Sequence, residues 1–384
     1  LLLAAWLLYR DRQGVMVPAL LACALAAMGQ FISSLTESPT AALVLSLVFM
    51  LLNYFLIGIA SLVGEDAAAS LLALGAVSLL LGGCAAARQN DGTRRVYLIA
   101  KSGTTEFWKS VFAGADAAKS EYNVELTILN PETEEQYEQQ NSYIRQAVAE
   151  GADAIIFSAI SYTGNAAAIE EAIAAGVRVV IIDSDVDAAG VSARIGTDNV
   201  AAGRMSAQAA LDTDLQKLCV GIVNCGKETQ NCQEREQGFR EALREDARVS
   251  GIYTVNVATD QYAAKRAAQE LLKAHPEINV LVGFNEPLAV GTALAVKELG
   301  LGGQVREIAF DTNVRCIDLL QEGVVSALIV QNPYAMGYLG VEYAWKALQG
   351  EKLDAAQLID TATKIVTRED MFTMENQKSL FSFN

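Results

Sequence analysis

A regular alternation of apolar and amphipathic segments, which starts near residue 96, constrains the fold of this chain more than any other feature. Nine apolar runs of strand length follow one another, separated by amphipathic stretches such as Glu134–Glu150 and Gln261–Ala274. The runs are VYLIA at 96, VELTIL at 124, DAIIFS at 153, VRVVIID at 177, KLCVGIVN at 217, GIYTVNV at 251, NVLVGF at 279, REIAFD at 306 and SALIVQ at 326. Continuous apolar runs are typical of strands covered on both faces, and the alternation with helices predicts parallel sheets with right-handed crossovers. About 290 residues of this pattern are more than a single hydrophobic core usually contains, so two lobes are expected.

The first 87 residues have a different composition, because they hold almost no charge. Gln13–Thr36, Ser38–Gly64 and Ala67–Ala87 are uncharged, and each is long enough to cross a bilayer, which takes about 20 residues. Leu1–Tyr9 resembles the end of a further apolar run. Uncharged runs of this length are rare in globular domains. We therefore predict a hydrophobic transmembrane or signal region over residues 1–87, followed by a polar linker over residues 88–95.

Basic residues set the orientation of these spans. Arg10 and Arg12 lie between the first two spans, which places that loop inside and the region after Ala87 outside the cytoplasm. The sequence LGGC, ending at Cys84, resembles a bacterial lipobox, in which the cysteine becomes a lipid-modified N-terminus. A lipoprotein, a simple membrane tether and cleavage of the upstream residues all remain open. All three place the soluble region outside the cytoplasm. We predict a cell-membrane location with the soluble domain extracytoplasmic.

Composition excludes several classes of function. The net charge is −16, with 45 acidic against 29 basic residues, so the chain lacks the basic face that a nucleic-acid partner needs. The single histidine, His275, argues against a His-dependent triad or a multi-His metal site. The six cysteines form no C-x-x-C pair, and neither a Walker loop nor a G-x-S-x-G elbow is present. We therefore predict no enzymatic activity, no cofactor and no metal.

Polar and aromatic residues follow the apolar runs at the points where the strands are predicted to end. In parallel sheets these ends meet at one edge, which is where open α/β folds bind ligands. The residues at this edge are Thr104, Thr105, Phe107, Trp108, Ser158, Asp183, Ser184 and Asp185 in the first half, and Asn224, Asn285, Glu286, Asp311, Gln331 and Asn332 in the second. Carboxylates and amides hydrogen-bond to hydroxyls, and aromatic rings cover the C–H faces of a sugar. The edge therefore favours a neutral polyol.

Seven stretches carry a resemblance to a known family. They are TTEFW with its aromatic pair, VVIIDSD with Asp183, IGTDNVAAGR at 195–204, REQGF at 235–239, AHPEINVLVGFNEPLAVG at 274–291, IAFD ending at Asp311 and VQNPYAMGYLGVE at 330–342. In this order they resemble the type I, or ribose-type, periplasmic sugar-binding proteins of bacterial ABC importers. The resemblance runs from about Val96 to about Arg368, which is nearly all of the region after the linker.

The resemblance implies an α/β, two-lobed periplasmic-binding-protein type I fold, here preceded by transmembrane helices. Each lobe would be a parallel sheet flanked by helices. The first lobe would comprise residues 96–198 plus about 332–360, and the second residues 199–331 plus about 361–384. By analogy, the chain would cross the hinge near Asp198–Asn199, near Asn285–Asp311 and near Gln331, with the last strands shared between the lobes.

The resemblance also implies a ligand site and a function. The implied ligand contacts are Thr105, Phe107, Trp108, Ser158, Asp183, Arg235, Asn285, Asp311 and Gln331. The implied function is capture of a monosaccharide or similar small polyol between hinged lobes and delivery to an ABC importer permease. The alternative is a sugar-sensing module that signals to a membrane histidine kinase or chemoreceptor, which the extra spans favour. A repressor of the lactose-repressor type is set aside, because the N-terminus is apolar and the chain is acidic.

Several of these residues admit a purely structural explanation. Phe107 and Trp108 fit either a stacking platform or the core of a helix. Arg235 fits either a donor that bridges two sugar oxygens or a surface arginine paired with a neighbouring glutamate. Asp183 and Asp311 fit helix caps, and Asn285 fits a turn residue.

The chain also departs from the family pattern. Relatives often have asparagine at the positions of Thr105 and Ser158 and arginine at the position of Ser184. The departures predict a less cationic, roomier pocket and leave a hexose, a pentose, an inositol-like polyol or another small polar solute open. Cys225 and Cys232 fit either a local disulfide or two free thiols. Cys219 and Cys316 are predicted to lie in the core.

Overall fold

The computed structural model describes residues 93–381, which contain twelve strands and ten helices. The strands are β1 Arg94–Ile99, β2 Val124–Leu129, β3 Ala154–Phe157, β4 Arg178–Ile182, β5 Ala193–Gly196, β6 Leu218–Asn224, β7 Val249–Asn256, β8 Val280–Gly283, β9 Arg306–Phe310, β10 Val325–Val330, β11 Leu358–Asp360 and β12 Lys364–Thr367. The helices are α1 Glu106–Tyr122, α2 Tyr137–Ala149, α3 Ala166–Ala174, α4 Asn199–Leu211, α5 Gln230–Leu243, α6 Gln261–Ala274, α7 Glu286–Glu298, α8 Val314–Glu322, α9 Pro333–Leu348 and α10 Met374–Leu380.

The strands form two six-stranded sheets, which define two lobes. The first sheet has the order β11-β5-β4-β3-β1-β2 and is parallel throughout. The second has the order β12-β10-β9-β8-β6-β7 and is parallel except for the antiparallel pair β10–β12. All nine predicted strands are present, so the predicted fold of two parallel α/β lobes is confirmed. Strands β5, β11 and β12 were not among the nine predicted runs, although the last strands were expected to be shared between the lobes, as β11 and β12 are.

The inner strands of each sheet are buried on both faces, which explains their continuous apolar runs. In the first lobe, alternate residues of β1 such as Leu98 and Ile99 enter two separate apolar clusters. One cluster packs against α1 and α9, and the other against α2 and α3. In the second lobe, Cys219 and Cys316 lie in the apolar clusters, as predicted.

The chain passes between the lobes at three places. It leaves β5 of the first sheet for α4, which packs on the second lobe. It returns after β10, because α9 packs against α1 and β4. The third passage separates β11 from β12. The predicted passage near Asn285–Asp311 is wrong, since β8, α7 and β9 all belong to the second lobe.

The predicted membrane region lies outside the described residues, and so does Cys84. Within residues 93–381, none of the helices is sufficiently long and apolar to span a bilayer.

Candidate functional site

A cavity with an empty volume of about 290 Å³ lies between the two lobes. Its walls come from the carboxyl ends of β1, β4, β9 and β10 and from the first turns of α1, α5 and α7. The lining residues are Lys101, Thr105, Phe107, Trp108, Glu134, Asp183, Asn231, Arg235, Asn285, Glu286, Pro287, Asp311 and Gln331. Polar and aromatic side chains of both lobes therefore meet at one small cavity.

Eight of the nine residues implied as ligand contacts line this cavity. Ser158 does not: it is fully buried and its hydroxyl donates to Asp183 Oδ2 at 2.9 Å. Five lining residues were not among the implied contacts, namely Lys101, Glu134, Asn231, Glu286 and Pro287. Of these, Glu286 was already placed at the ligand-binding edge by its position after a strand.

The aromatic pair belongs to both the cavity wall and the core. Phe107 and Trp108 form the first turn of α1, with ring centroids 5.3 Å apart and planes at 86°. Thr105 caps the helix by accepting a hydrogen bond from Trp108 N, and Trp108 Nε1 donates to Glu134 Oε1 at 3.2 Å. The two explanations for the pair therefore coexist, because the rings line the cavity while they pack in the first-lobe cluster.

A buried ammonium sits between two carboxylates at one side of the cavity. Lys101 Nζ lies 3.4 Å from Glu134 Oε2 and 3.4 Å from Asp183 Oδ2, and all three side chains are at most 9% exposed. Burial by itself would lower the pKa of Lys101, but the Asp183 and Glu134 carboxylates outweigh burial and raise it. Lys101 therefore stays charged. The prediction of a less cationic pocket overlooked this residue, which follows β1 almost directly.

Asp183 ties the two lobes together. Its Oδ2 accepts from Ser158 of the first lobe, and its Oδ1 accepts from Asn231 Nδ2 of the second lobe at 2.9 Å. Asp183 has φ 58° and Asp311 has φ 70°, so both adopt the left-handed conformation where their strands end. Neither caps a helix, since α4 is capped by Asp198 and α8 by Asn313. The capping explanation for the two aspartates is wrong.

Arg235 is the central donor of the second lobe. It is 1% exposed, and its guanidinium carbon lies 5.0 Å from the centroid of the Phe310 ring. Nε donates to Asn199 Oδ1, Nη1 to Phe284 O and Nη2 to Gln331 Oε1, at 2.9, 2.7 and 2.7 Å. The explanation of Arg235 as a surface arginine is therefore wrong. Three hydrogen bonds fix the guanidinium plane at the cavity wall.

Gln331 and Asp311 continue this network. Gln331 Nε2 donates to Asp311 Oδ1 at 2.6 Å, and Gln331 Oε1 also accepts from Thr197 at 2.9 Å. Burial raises the pKa of Asp311 to about 7, although the nearby Arg235 opposes the rise. Hydrogen bonds donated by a ligand would stabilise the ionised Asp311 carboxylate and lower its pKa again.

Asn285 has a structural role beside its place in the wall. Its Oδ1 accepts from Leu288 N at 3.1 Å and so caps α7, while its Nδ2 points at Cys232 Sγ, 3.8 Å away. Cys225 and Cys232 are buried free thiols in this structure. Within residues 93–381, no cluster of three or more potential metal-binding side chains is present.

Comparison with known proteins identifies the family. The model described as "Periplasmic binding protein domain" matches residues 96–352, which is more than half of the chain. The chain belongs to the periplasmic binding protein family. Members of this family bind solutes without catalysing a reaction, so the predictions of a type I binding protein and of no enzymatic activity are confirmed. Membership also places the described domain outside the cytoplasm.

Named relatives of this periplasmic binding protein are sugar-binding proteins. The D-ribose/D-allose-binding protein of Pseudomonas aeruginosa is 26% identical over 71% of this chain and 88% of its own length. The ribose import binding protein of Bacillus subtilis is 24% identical, over 73% and 90%. A solved carbohydrate transporter solute-binding protein from Agrobacterium radiobacter, in complex with D-arabinose, has a TM-score of 0.73 and 25% identity, and covers 75% of this chain and 99% of its own. A solute-binding protein from Agrobacterium vitis with bound D-fucose has a TM-score of 0.71 and 26% identity, over 75% and 100%.

Proposed function

We propose that this protein captures a monosaccharide or similar small polyol between its two lobes and delivers it to the permease of an ABC importer. One observation carries the proposal: polar side chains from both lobes and an aromatic wall converge on one small cavity. The sugars named with the related proteins support the same ligand class. The proposed lobe boundaries remain 96–198 plus about 332–360, and 199–331 plus about 361–384.

Each part of the cavity suits one part of a sugar. Arg235, Lys101 and Asn231 supply N–H donors, and Asp183, Asp311 and Glu134 supply carboxylate acceptors. The Trp108 and Phe107 rings offer apolar surface to C–H faces. Thr105, Asn285 and Gln331 complete the proposed contacts, and Ser158 acts through Asp183. A sugar therefore finds donors, acceptors and a stacking surface within one cavity.

A thermal-shift screen with free monosaccharides tests this function. A sugar present at 100 times its Kd stabilises the protein by about 2.7 kcal/mol, which raises Tm by several degrees. The expected result is a rise with at least one pentose or hexose. Asp311→Asn should weaken that sugar on the order of tenfold, since a hydrogen bond to a charged acceptor is lost. Asp318→Asn, on the exposed side of α8, is the matched control. No rise with any monosaccharide would refute the proposal.

Delivery to an importer is tested separately. The sugar-loaded protein should stimulate ATP hydrolysis by the importer that recognises it, and the sugar alone should not. The relatives named above are transport proteins and binding proteins, which supports import over the sensing alternative. Stimulation of a histidine kinase instead of an importer ATPase would reverse this choice.

Attachment to the cell membrane is part of the proposal and rests on sequence alone. The uncharged runs within residues 1–87 support a transmembrane anchor, and the LGGC sequence at Cys84 supports lipidation. Mass spectrometry of the mature N-terminus separates the possibilities. A lipid-modified Cys84 indicates a lipoprotein, an intact upstream region indicates a membrane tether, and an unmodified N-terminus after Cys84 excludes both.

A further inference from the structure

The Glu286 carboxylate accepts hydrogen bonds from both lobes. Glu286 belongs to α7 of the second lobe, yet it accepts hydrogen bonds from two backbone amides of the first lobe. Glu106 N donates to Oε1 at 3.1 Å and Phe107 N donates to Oε2 at 2.8 Å. Asn313 Nδ2 donates to Oε1 at 2.8 Å from the second lobe. The side chain therefore bridges the lobes directly at the aromatic wall.

The Glu106 and Phe107 amides lie in the first turn of α1, where N–H groups find no hydrogen-bond acceptor within the helix. The cap of α1, Thr105, accepts from Trp108 N, so the amides of Glu106 and Phe107 receive their acceptor from the opposite lobe. A carboxylate at a helix N-terminus is also favoured by the helix dipole. The contact complements both orphan amides at once.

The surroundings of Glu286 suit a contact that forms only on closure. Glu286 is 5% exposed, and burial raises its pKa although the amide and Asn313 hydrogen bonds lower it. If the lobes separated, water would take the place of the first-lobe amides, while Asn313 would stay beside Glu286 because both belong to the second lobe. Asn313 therefore holds the carboxylate in place for the next closure.

We propose that Glu286 is a positioning residue that latches the second lobe to the first turn of α1 in the closed state. The latch fixes Thr105, Phe107 and Trp108 as a rigid wall and stabilises closure without needing a contact to the ligand. Its use in sugar capture rests on the proposed function, but the latch joins only groups of this chain and can be measured without any ligand. This makes the two proposals separable.

Amide hydrogen exchange at Glu106 and Phe107, measured on the ligand-free full chain, tests the latch. In the wild type both amides should exchange slowly. Glu286→Ala should speed their exchange on the order of tenfold, as expected for loss of a charge-assisted hydrogen bond. Glu286→Gln keeps one acceptor and should fall between the two. Amides of the buried strand β8 should stay protected in all variants, which shows that the effect is local.

Two further variants complete the test. Asn313→Ala should produce a smaller increase at the same two amides, because it frees the carboxylate without removing it. Glu298→Gln, at the exposed end of α7, should leave both amides as in the wild type. Fast exchange in the wild type, or equal exchange in the wild type and Glu286→Ala, overturns the latch. Neither result depends on whether any sugar binds, so the thermal-shift screen judges the function independently.

Discussion

Lys101 shows at the scale of one residue how the site depends on charge balance. Two carboxylates, Glu134 and Asp183, lie at 3.4 Å from its ammonium group, and the cluster is nearly closed to solvent. Taking charges out of water costs several kcal/mol per ion, so the three groups are tolerable only together. The Lys101 ammonium group therefore depends on both carboxylates for its place in the cavity wall.

Removing the Lys101 charge should be costly. Lys101→Met keeps most of the volume but leaves two buried carboxylates without their cation, and we expect a loss of about 3–5 kcal/mol of unfolding free energy. Urea unfolding at neutral pH measures it. Lys109→Met removes a lysine from an exposed pair with Glu106 and should leave the free energy of unfolding almost unchanged. Equal losses in the two variants would show that the buried cluster has no special importance.

Asp311 predicts a pH dependence of stability. Its pKa of about 7 lies above its ordinary value of 3.8, so between these values the folded protein keeps a proton that the unfolded chain has released. This residue's contribution to stability therefore falls as the pH rises from about 4 to about 7, and the loss is complete above pH 7.

The variant Asp311→Asn isolates this contribution, since asparagine does not titrate. Asp311→Asn should match the wild type near pH 4 and exceed it above pH 7, by an amount on the order of 1–4 kcal/mol. Urea unfolding of both proteins at several pH values measures the difference. A difference that stays constant from pH 4 to pH 8 contradicts the prediction. The stabilised variant should still bind sugar more weakly, because a group that costs stability is retained for binding.

At the scale of elements, the position of Arg235 depends on how closely α4 and α5 pack. A side chain at Gly238 would place its Cβ 2.0 Å from Val200 O, and one at Gly203 would place its Cβ 2.1 Å from Arg235 O. Backbone atoms cannot yield to such contacts as a flexible side chain can. These two glycines therefore let the helices approach until Arg235 reaches Gln331.

Substitution of Gly238 should act on the site at a distance. Gly238→Ala forces α5 away from α4, which should cost about 1–3 kcal/mol of stability and weaken sugar binding by shifting Arg235. Gly226→Ala is the control, because a Cβ there meets no heavy atom within 4 Å and its φ is not positive. Chemical unfolding and calorimetric titration measure the two effects. Unchanged affinity in a folded Gly238→Ala protein would disconnect the helix packing from the site.

The elements that sequence reasoning predicted are those with a strong local signal. The nine predicted strands lie in apolar runs, and those inside the sheets are buried on both faces. β11 has only three residues and is partly exposed, and β5 is a four-residue segment that contains Arg194, so neither has a strong apolar signal of its own. The passage expected near Asn285–Asp311 was also wrong, because the sheet to which a strand belongs depends on the strands it pairs with. β8 and β9 pair with each other in the second sheet.

Some residues of the candidate site could be predicted from local sequence, and others could not. Residues directly after long strands, such as Asp183 and Asp311, could be placed at one edge from topology alone. Asn231 enters the cavity because α5 of the second lobe meets Asp183 of the first, and Glu134 enters because a loop folds back to Trp108 and Lys101. These contacts join segments that are distant in sequence, so no local pattern predicts them. Lys101 could have been predicted, because it lies just after β1, but it was not among the implied contacts.

At the scale of the whole molecule, the lobes also meet outside the cavity. Thr229 Oγ1 of the second lobe donates to Ile160 O of the first at 3.1 Å, and Tyr162 N donates back to Glu228 O at 2.9 Å. These contacts lie on residues that do not line the cavity. They stabilise the closed state relative to any open state in which water takes their place, so they shift the equilibrium on which ligand affinity depends.

Thr229→Val should therefore weaken binding without touching the ligand. The substitution keeps the branched shape and leaves Ile160 O unpaired only when the lobes are closed, at a cost of about 1 kcal/mol, or roughly fivefold in apparent Kd. The change should appear in the dissociation rate, because a closed complex that is less stable reopens sooner. Stopped-flow binding with the monosaccharide that gives the largest thermal shift measures both rate constants. Thr127→Val, on the edge strand β2 of the first lobe, should leave both rates unchanged. If Thr229→Val instead slows association and leaves dissociation as it was, closure is not what these contacts control.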